Sequence, residues 1–488
     1  MSFSINSQRS VQPQKVQNGL QTVVPISNDA RSATSSTRER SEQYVQALKI
    51  EHLPQDDETT WNSAQHTEEL VTNAYGHIAF QGFSKHGYSD TTAPFARIDS
   101  DTDPELLWTL LVKIWRLPAP RMLLSIVGGS RLFSMETKIK QAVQQGLQDV
   151  LSQNDVWLIT GGTAAGVTKF IGDVLNECRQ SNDSPPVAIG IPTWGVVDNR
   201  RSLESVDNNI TNERGKFPAF YNSSECTKGS RTLDHNHTNF LFADDGTSGQ
   251  FGANIELRAK LEAHIRRKCI LCSSRSTNAS HHSYCVGTPL AVIVLDGGKV
   301  AIKRINQAVM GYIPVILVKH SGRTADILIE SYERTRFHIP PGFRDELLEL
   351  VRDSSMVQLR DAHEIPDIVQ QIMQILSRRN LITVFDPADT ADGQSLEQAI
   401  FKAFSNAHKY NAQADNLTRS HRWRMQRRKD ACQSKELNAI VCDAMGRGRT
   451  DLSLMLLEDG LNLTDFLTVG RLNDLYRTSL DDQDRQCR

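Results

Sequence analysis

Four short apolar runs in this chain each end in a glycine turn: LLSIVGGS at 123–130, VWLITGGTAAG at 156–166, AVIVLDGGK at 291–299 and PVILVKHSGR at 314–323. A glycine pair lets the backbone turn tightly and lets a ligand come close. Where a helix follows, its first N–H groups lack partners and carry a partial positive charge, which suits phosphate. Gly128 and Gly129, Gly161 and Gly162, and Gly297 and Gly298 are therefore candidates to cradle a nucleotide-like anion. The same turns also serve packing alone in α/β folds, so both readings stay open. Three other groups invite chemistry. Cys269, Cys272, His281, His282 and Cys285 offer soft ligands of the kind that hold zinc. A single C-x-x-C in a Ser-rich insertion reads equally as incidental. Asp244 and Asp245 suggest acid/base or metal work, but adjacent carboxylates on a strand point to opposite faces, which favours a turn. The basic run HRWRMQRRK at 421–429 suits phosphate or a lipid surface. With Trp423 as its only aromatic it gives poor support to nucleic-acid recognition.

Such residues need elements that bring them to one edge. Runs of Val, Ile and Leu suit strands buried on both faces of a parallel sheet. Helix-like segments follow the four turns at 135–151, 167–179, 300–310 and 325–334. In a doubly wound sheet, ligands bind outside the carboxyl ends of the strands. A fifth apolar run at 187–191 ends in Pro192-Thr193-Trp194-Gly195, and a sixth at 239–243 ends in Asp244-Asp245-Gly246-Thr247. Residues 252–267 read as a helix carrying Arg258. Upstream, 76–80 reads as a strand, and 103–115 as a helix with Asp103 as cap and Pro104 in its first turn. Residues 199–230 read as loop, and 268–287 as a polar insertion. Beyond residue 327 the pattern turns helical, with amphipathic candidates at 367–379 and 395–407. Residues 451–460, followed by Asn462-Leu463, look like one helix-turn of an ankyrin-like repeat. Such a unit needs neighbours to bury its faces.

The expected fold class is α/β: a doubly wound, mainly parallel sheet followed by an α-helical, ankyrin-like repeat region. The expected organisation is a disordered tail at 1–48, poor in aromatics and rich in Ser, Gln, Asn and Arg, an α/β domain at 49–380, and the start of the helical region at 381–488. Composition bounds the rest. The 488 residues carry 55 Lys and Arg against 57 Asp and Glu, a formal charge of −2. Nothing global draws the chain to nucleic acid or a membrane surface. No stretch approaches the ~18 consecutive apolar residues of a spanning helix. The N-terminus lacks the apolar core of a secretory signal, so a cytosolic setting is expected. Eight cysteines are ordinary for a reduced compartment.

Taken together and in order, these motifs resemble the cytosolic N-terminal region of melastatin-type TRP (TRPM) cation channels, whose first half has a SLOG-type, Rossmann-like nucleotide-sensing fold. The resemblance rests on Gly76-His77-Ile78 with Phe80, the stretches 120–129 and 157–167, Gly172-Asp173, AIGIPTWGVV at 188–197 with Asn199-Arg200, and Leu233-Asp234 with Asn236-His237 and Asn239-Phe240. It continues through DDGT at 244–247 with Gly249, 295–298, Ile305-Asn306, SGRTAD at 321–326, LITVF at 381–385 and LLEDGLNLTDFLTVGRLNDLY at 456–476. It covers roughly residues 50 to 480. It implies one subunit of a tetrameric, calcium-permeable channel at the cytoplasmic face of a membrane. The pore region would lie C-terminal to these residues, which hold no span. No cofactor is required, and ADP-ribose or a related nucleotide is the implied ligand. In the family's ADP-ribose-gated member, the ligand is held by an aromatic and an arginine on the helix after D-D-G-T, and by the arginine of S-G-R. Those positions here are Phe251, Arg258 and Arg323, and the threonine of T-G-G is Thr160. Phe replaces Tyr at the aromatic position, which keeps a stacking face and loses a phenolic hydrogen bond. The basic run at 421–429 stands where the family has an apolar helix pair.

An enzymatic alternative is weaker. LOG-type relatives of the SLOG fold cleave a nucleotide N-glycosidic bond with a P-G-G-x-G-T-x-x-E loop. The comparable stretch, 295–303 (LDGGKVAIK), lacks the proline, the Gly-Thr pair and the glutamate. A carboxylate is the usual stabiliser of an oxocarbenium-like centre. The expectation is binding without turnover, with a pore-less nucleotide binder and a ligand-free assembly scaffold as the other readings.

Overall fold

The structure is a computed structural model. It describes residues 49–52, 67–70, 72–81, 92–129, 133–152, 155–181, 186–205, 215–223, 229–271, 285–354, 363–388 and 395–417, with scattered positions between 441 and 455. The apolar runs become the strands of one sheet: β3 (Tyr75–Phe80), β4 (Ala93–Asp99), β5 (Met122–Gly128), β6 (Val156–Thr160), β7 (Val187–Gly190), β8 (Lys216–Tyr221), β9 (Asn239–Asp244), β12 (Leu290–Leu295), β13 (Val315–Val318) and β14 (Ile382–Phe385). Two small antiparallel pairs stand apart: β1 (Lys49–His52) with β2 (Thr67–Leu70), and β10 (Cys269–Leu271) with β11 (Cys285–Gly287).

The large sheet has the order β14-β13-β12-β5-β6-β7-β9-β4-β3-β8. Every neighbouring pair is parallel except β3 with β4. From β5 the chain builds outward through β6, β7 and β9. It then returns to the other side of β5 as β12 and builds the opposite way through β13 and β14. The order therefore reverses between β5 and β12, the place where doubly wound sheets bind ligands.

Helices cover both faces. α1 (Pro104–Thr109), which runs into a π turn at Leu110–Ile114, shares one face with α4 (Asn254–Arg267), α5 (Lys299–Met310), α6 (Arg323–Arg334), α7 (Phe343–Asp353) and α8 (Ile365–Ser377). The other face carries α2 (Thr137–Leu151), α3 (Gly166–Ser181) and α9 (Leu396–Leu417). Alternate residues of one strand serve opposite cores: Leu290, Val292 and Val294 pack under the first set, and Ala291, Ile293 and Leu295 under the second. Burial on both sides is why these strands read as unbroken apolar runs rather than alternating ones. Asp103 caps α1 by accepting from the Glu105 N–H at 2.9 Å.

The doubly wound, mainly parallel α/β architecture expected from the sequence is the one that forms. Three details differ. The segment 199–230, read as loop, contributes β8 at the sheet edge, paired in parallel with β3. Its sequence KFPAFY buries only Ala219 and Tyr221, and an edge strand tolerates Pro218 because one side of its backbone needs no ladder bond. β4 lies between two polar stretches and was not anticipated. The sheet also runs past residue 381: β14 pairs with β13, and α9 packs on the sheet. Residues 382–417, which the sequence reading placed with the helical region, thus join the α/β layers. The N-terminal tail and the basic run at 421–429 lie outside the described residues. So does the ankyrin-like segment, apart from Asp451, Leu452, Leu454 and Met455.

Candidate functional site

Parallel strands place all their carboxyl ends on one edge, and the glycine turns line it. The turns after β5, β12 and β13 converge. Asp296 (φ 59°), Gly297 (φ 118°), His320 (φ 59°), Gly322 (φ 113°) and Arg323 (φ 26°) all adopt left-handed backbone there. Non-glycine residues hold such angles where their surroundings over-determine them. The surroundings are visible. The Ser321 hydroxyl accepts from Asp296 N at 3.0 Å and donates to Val318 O at 2.6 Å. Asp326 accepts from Gly322 N at 3.0 Å. The Arg323 guanidinium grips Asp296 side-on, Nε to Oδ1 at 2.7 Å and Nη2 to Oδ2. This pair lies against Gly129, where any Cβ would collide with both partners. The hydrogen bond to Asp296 raises the Arg323 pKa, and burial raises that of Asp326.

The glycines divide by what surrounds them. At Gly128 a side chain would strike Leu295 O and Val167, and at Gly297 it would strike Ala301, so both serve close packing. Gly162 (φ 70°) lies against Gly190, with 2.7 Å from a built Cβ to its Cα. Gly161 has room above it, meeting only Thr168 Oγ1 at 3.5 Å. Gly298 caps α5, and its carbonyl accepts from Thr324 Oγ1 at 3.4 Å.

Thr160 is buried in a hydroxyl–imidazole–carboxylate chain. Its Oγ1 lies 2.6 Å from His237 Nε2, and His237 Nδ1 lies 3.2 Å from Asp234 Oδ1. The same hydroxyl accepts from Gly162 N at 2.9 Å, which fixes the T-G-G turn. Asp234 Oδ2 is buried, has no hydrogen-bond partner among the described residues, and presses on Gly172. His237 and Asp234 belong to stretches noted in the sequence, but nothing there signalled this pairing with a residue 77 positions away.

Arg258 lies beneath the edge, 6% exposed. Its Nη2 donates to Ser125 Oγ, Ile126 O and Ile159 O, each at 2.8 Å, so it bridges the ends of β5 and β6. Its Nε donates to Glu262 at 2.8 Å, and Glu262 also accepts from Ser125 and Arg304. Burial pulls Arg258 down to about 9, still cationic at neutral pH. Burial, with the nearby Arg258 charge, drives Arg304 well below its ordinary range. Glu262 between two guanidiniums is what lets both sit in the core. The Arg258–Glu262 spacing of four was legible as a helix pair, whereas Ser125 and Arg304 were not.

Phe251 is exposed, with the Arg231 guanidinium 5.6 Å from its ring centre. It lies in the loop between β9 and α4, where Gly249 N donates to Gly195 O and Gly252 N to Thr193 Oγ1, both beyond β7. Phe251 thus stands by the turn after β7, and Arg323 by the turn after β13. Asp244 is held by Arg97 Nε at 2.7 Å and accepts from Gly246 N, while Asp245 accepts from the Thr247 N–H and hydroxyl. Both carboxylates shape the turn. Arg97, under the Trp194 ring plane at 4.6 Å, was missed along with β4. Of the Cys/His group, Cys269 and Cys285 fall in β10 and β11 and the others lie outside the described residues. Among the described residues there is no metal-type cluster of three or more His, Cys, Asp or Glu, and no helix long and apolar enough to cross a membrane.

Comparison with known proteins agrees with this architecture. A family model described as SLOG in TRPM matches residues 93–375. The chain is 29% identical over 483 residues to transient receptor potential cation channel subfamily M member-like 2 of Nematostella vectensis, covering 93% of this chain and 29% of that protein. It is 31% identical over 439 residues to the transient receptor potential cation channel trpm of Drosophila melanogaster, covering 86% and 20%. It is 28% identical over 454 residues to subfamily M member 2 of Rattus norvegicus, covering 89% and 28%. The chain spans less than a third of the length of each of these relatives.

Proposed function

The chain belongs to the TRPM family and carries its SLOG domain, and on that premise we propose that it is the cytosolic ligand-sensing and assembly region of a tetrameric, calcium-permeable cation channel. The ligand proposed is a nucleoside diphosphate such as ADP-ribose, bound without turnover. One observation carries the ligand reading: at the point where strand order reverses, an arginine lies directly over a glycine of the neighbouring turn, part-exposed at 24% of its side chain. A guanidinium suits a diphosphate through charge-assisted, fork-shaped bonds. In this reading Arg258 acts from below, holding the β5 and β6 ends that shape the cradle, and Phe251 offers an exposed ring face by the turn after β7. Ligand binding would bias channel gating only by its differential affinity for two states.

The test is calorimetric titration of ADP-ribose into the purified chain, beside Arg323→Ala, with thermal unfolding as a check on fold. Saturable binding that the variant loses is the expected result. A folded wild-type chain that gives no saturable heat removes nucleotide sensing and leaves assembly as the function.

A further inference from the structure

We infer that Asp296 is the positioning residue of the rim arginine: it locks the Arg323 guanidinium so that the unengaged edge is left to meet a ligand oxyanion. The inference rests on the diphosphate reading above. A guanidinium has five N–H bonds. Asp296 takes two of them, on Nε and Nη2. Among the described residues no hydrogen-bond partner takes the other three, one on Nη2 and two on Nη1. What remains is an Nη1/Nη2 fork, the shape that pairs with a phosphate.

Asp296 is seated for such a role. It is 4% exposed, whereas the Arg323 side chain is 24% exposed. Its N–H is bound by Ser321 Oγ at 3.0 Å and its carbonyl accepts from Ala325 N at 3.2 Å. The turns after β12 and β13 are thus stitched together around this one residue. A competing role, in which Asp296 swings away and yields Arg323 to the ligand, would need its carboxylate to rotate within a buried site while these bonds hold its backbone in place. A fixed carboxylate holding one edge of the guanidinium, with the opposite edge left for the ligand, needs no movement.

The experiment is a double-mutant cycle in the full chain, with ADP-ribose and inorganic pyrophosphate as probes in calorimetry. Asp296→Asn keeps the shape but replaces one accepting oxygen with an NH2 group that repels the guanidinium. It is expected to weaken binding about tenfold, the scale of one charge-assisted hydrogen bond. In an Arg323→Ala background the same substitution is expected to change nothing, because Asp296 acts only through Arg323. Unchanged binding in Asp296→Asn overturns the inference. Tighter binding overturns it in favour of competition. An equal loss in both backgrounds overturns it in favour of a general structural role. Asp296→Glu serves if the Asn variant fails to fold: its longer arm displaces the fork, so wild-type affinity there also overturns the inference. A wild-type chain that binds neither probe fails the diphosphate reading itself and takes this inference with it.

Discussion

Arg258 and Arg323 sit at one edge of the same sheet, and they teach opposite lessons about the same residue type. Arg258 is enclosed and makes bonds to two strand-end carbonyls, a hydroxyl and a carboxylate. Buried carbonyls need donors, and a planar guanidinium supplies several at once. Arg323 holds a single carboxylate and keeps an open fork toward solvent. Depth below the rim, rather than residue type or spacing, separates a residue that builds the cradle from one that faces its contents.

The contrast is broken most directly by removing Arg258. Arg258→Ala takes one of two guanidinium partners from the fully buried Glu262 and leaves the buried carbonyls of Ile126 and Ile159 without their shared donor. Breaking a buried ion pair by removing one partner costs about 3–5 kcal/mol. Chemical denaturation should show a loss on that scale, and a loss below about 1 kcal/mol would erase the distinction. His237→Ala comes next. It leaves the Thr160 hydroxyl and the Asp234 carboxylate buried without their shared partner, at about 2–3 kcal/mol. Denaturation of Thr160→Val, which removes only the hydroxyl, should show a smaller loss than His237→Ala; the reverse order would mean that the imidazole contributes through packing. Arg323→Ala should cost least of the three, about 1 kcal/mol, because its pair with Asp296 is partly solvated. A cost matching that of Arg258→Ala would place Arg323 among the structural residues as well.

Much of this architecture was legible because burial on both faces writes itself as unbroken Val/Ile/Leu runs: 123–127, 156–159 and 290–295 could hardly be anything but central strands. The helices after them carried a stripe of matching apolar residues. What stayed hidden was whatever depends on distant partners. Asp296 stood in the quoted LDGGK run, but its pairing with Arg323 spans 27 positions, and that of Thr160 with His237 spans 77. β8 hid because an edge strand buries only alternate residues and admits a proline. Arg258 was read as a ligand-holding arginine, and its depth beneath the edge stayed hidden, since a sequence shows which face of a helix is apolar and not how deeply an arginine on that face is covered.

The smallest effect concerns pH and sets the far end of the sheet against the rim. Burial lowers the pKa of His77, His235 and His264, with nearby acids opposing the shift at His235 and His264. His77 lies edge-on to Phe217 at 5.5 Å, and His235 lies 6.3 Å from Phe80. Unfolded, each protonates near pH 6.5; folded, each waits for a lower pH. Between those two points the unfolded chain binds more protons, so stability falls as pH falls. The contribution is complete above about pH 6.5 and is lost as pH drops toward the folded values. The rim pair moves the other way: Asp296 raises the Arg323 pKa above its already high value, so its charge persists throughout this window. Denaturation midpoints from pH 8 to 5 should therefore decline in the wild-type chain and flatten when His77, His235 and His264 are all replaced by Gln. The Arg323→Ala chain should keep the wild-type slope. A slope that survives the three substitutions would move the acid sensitivity to other groups, and one that disappears in Arg323→Ala would tie it to the rim.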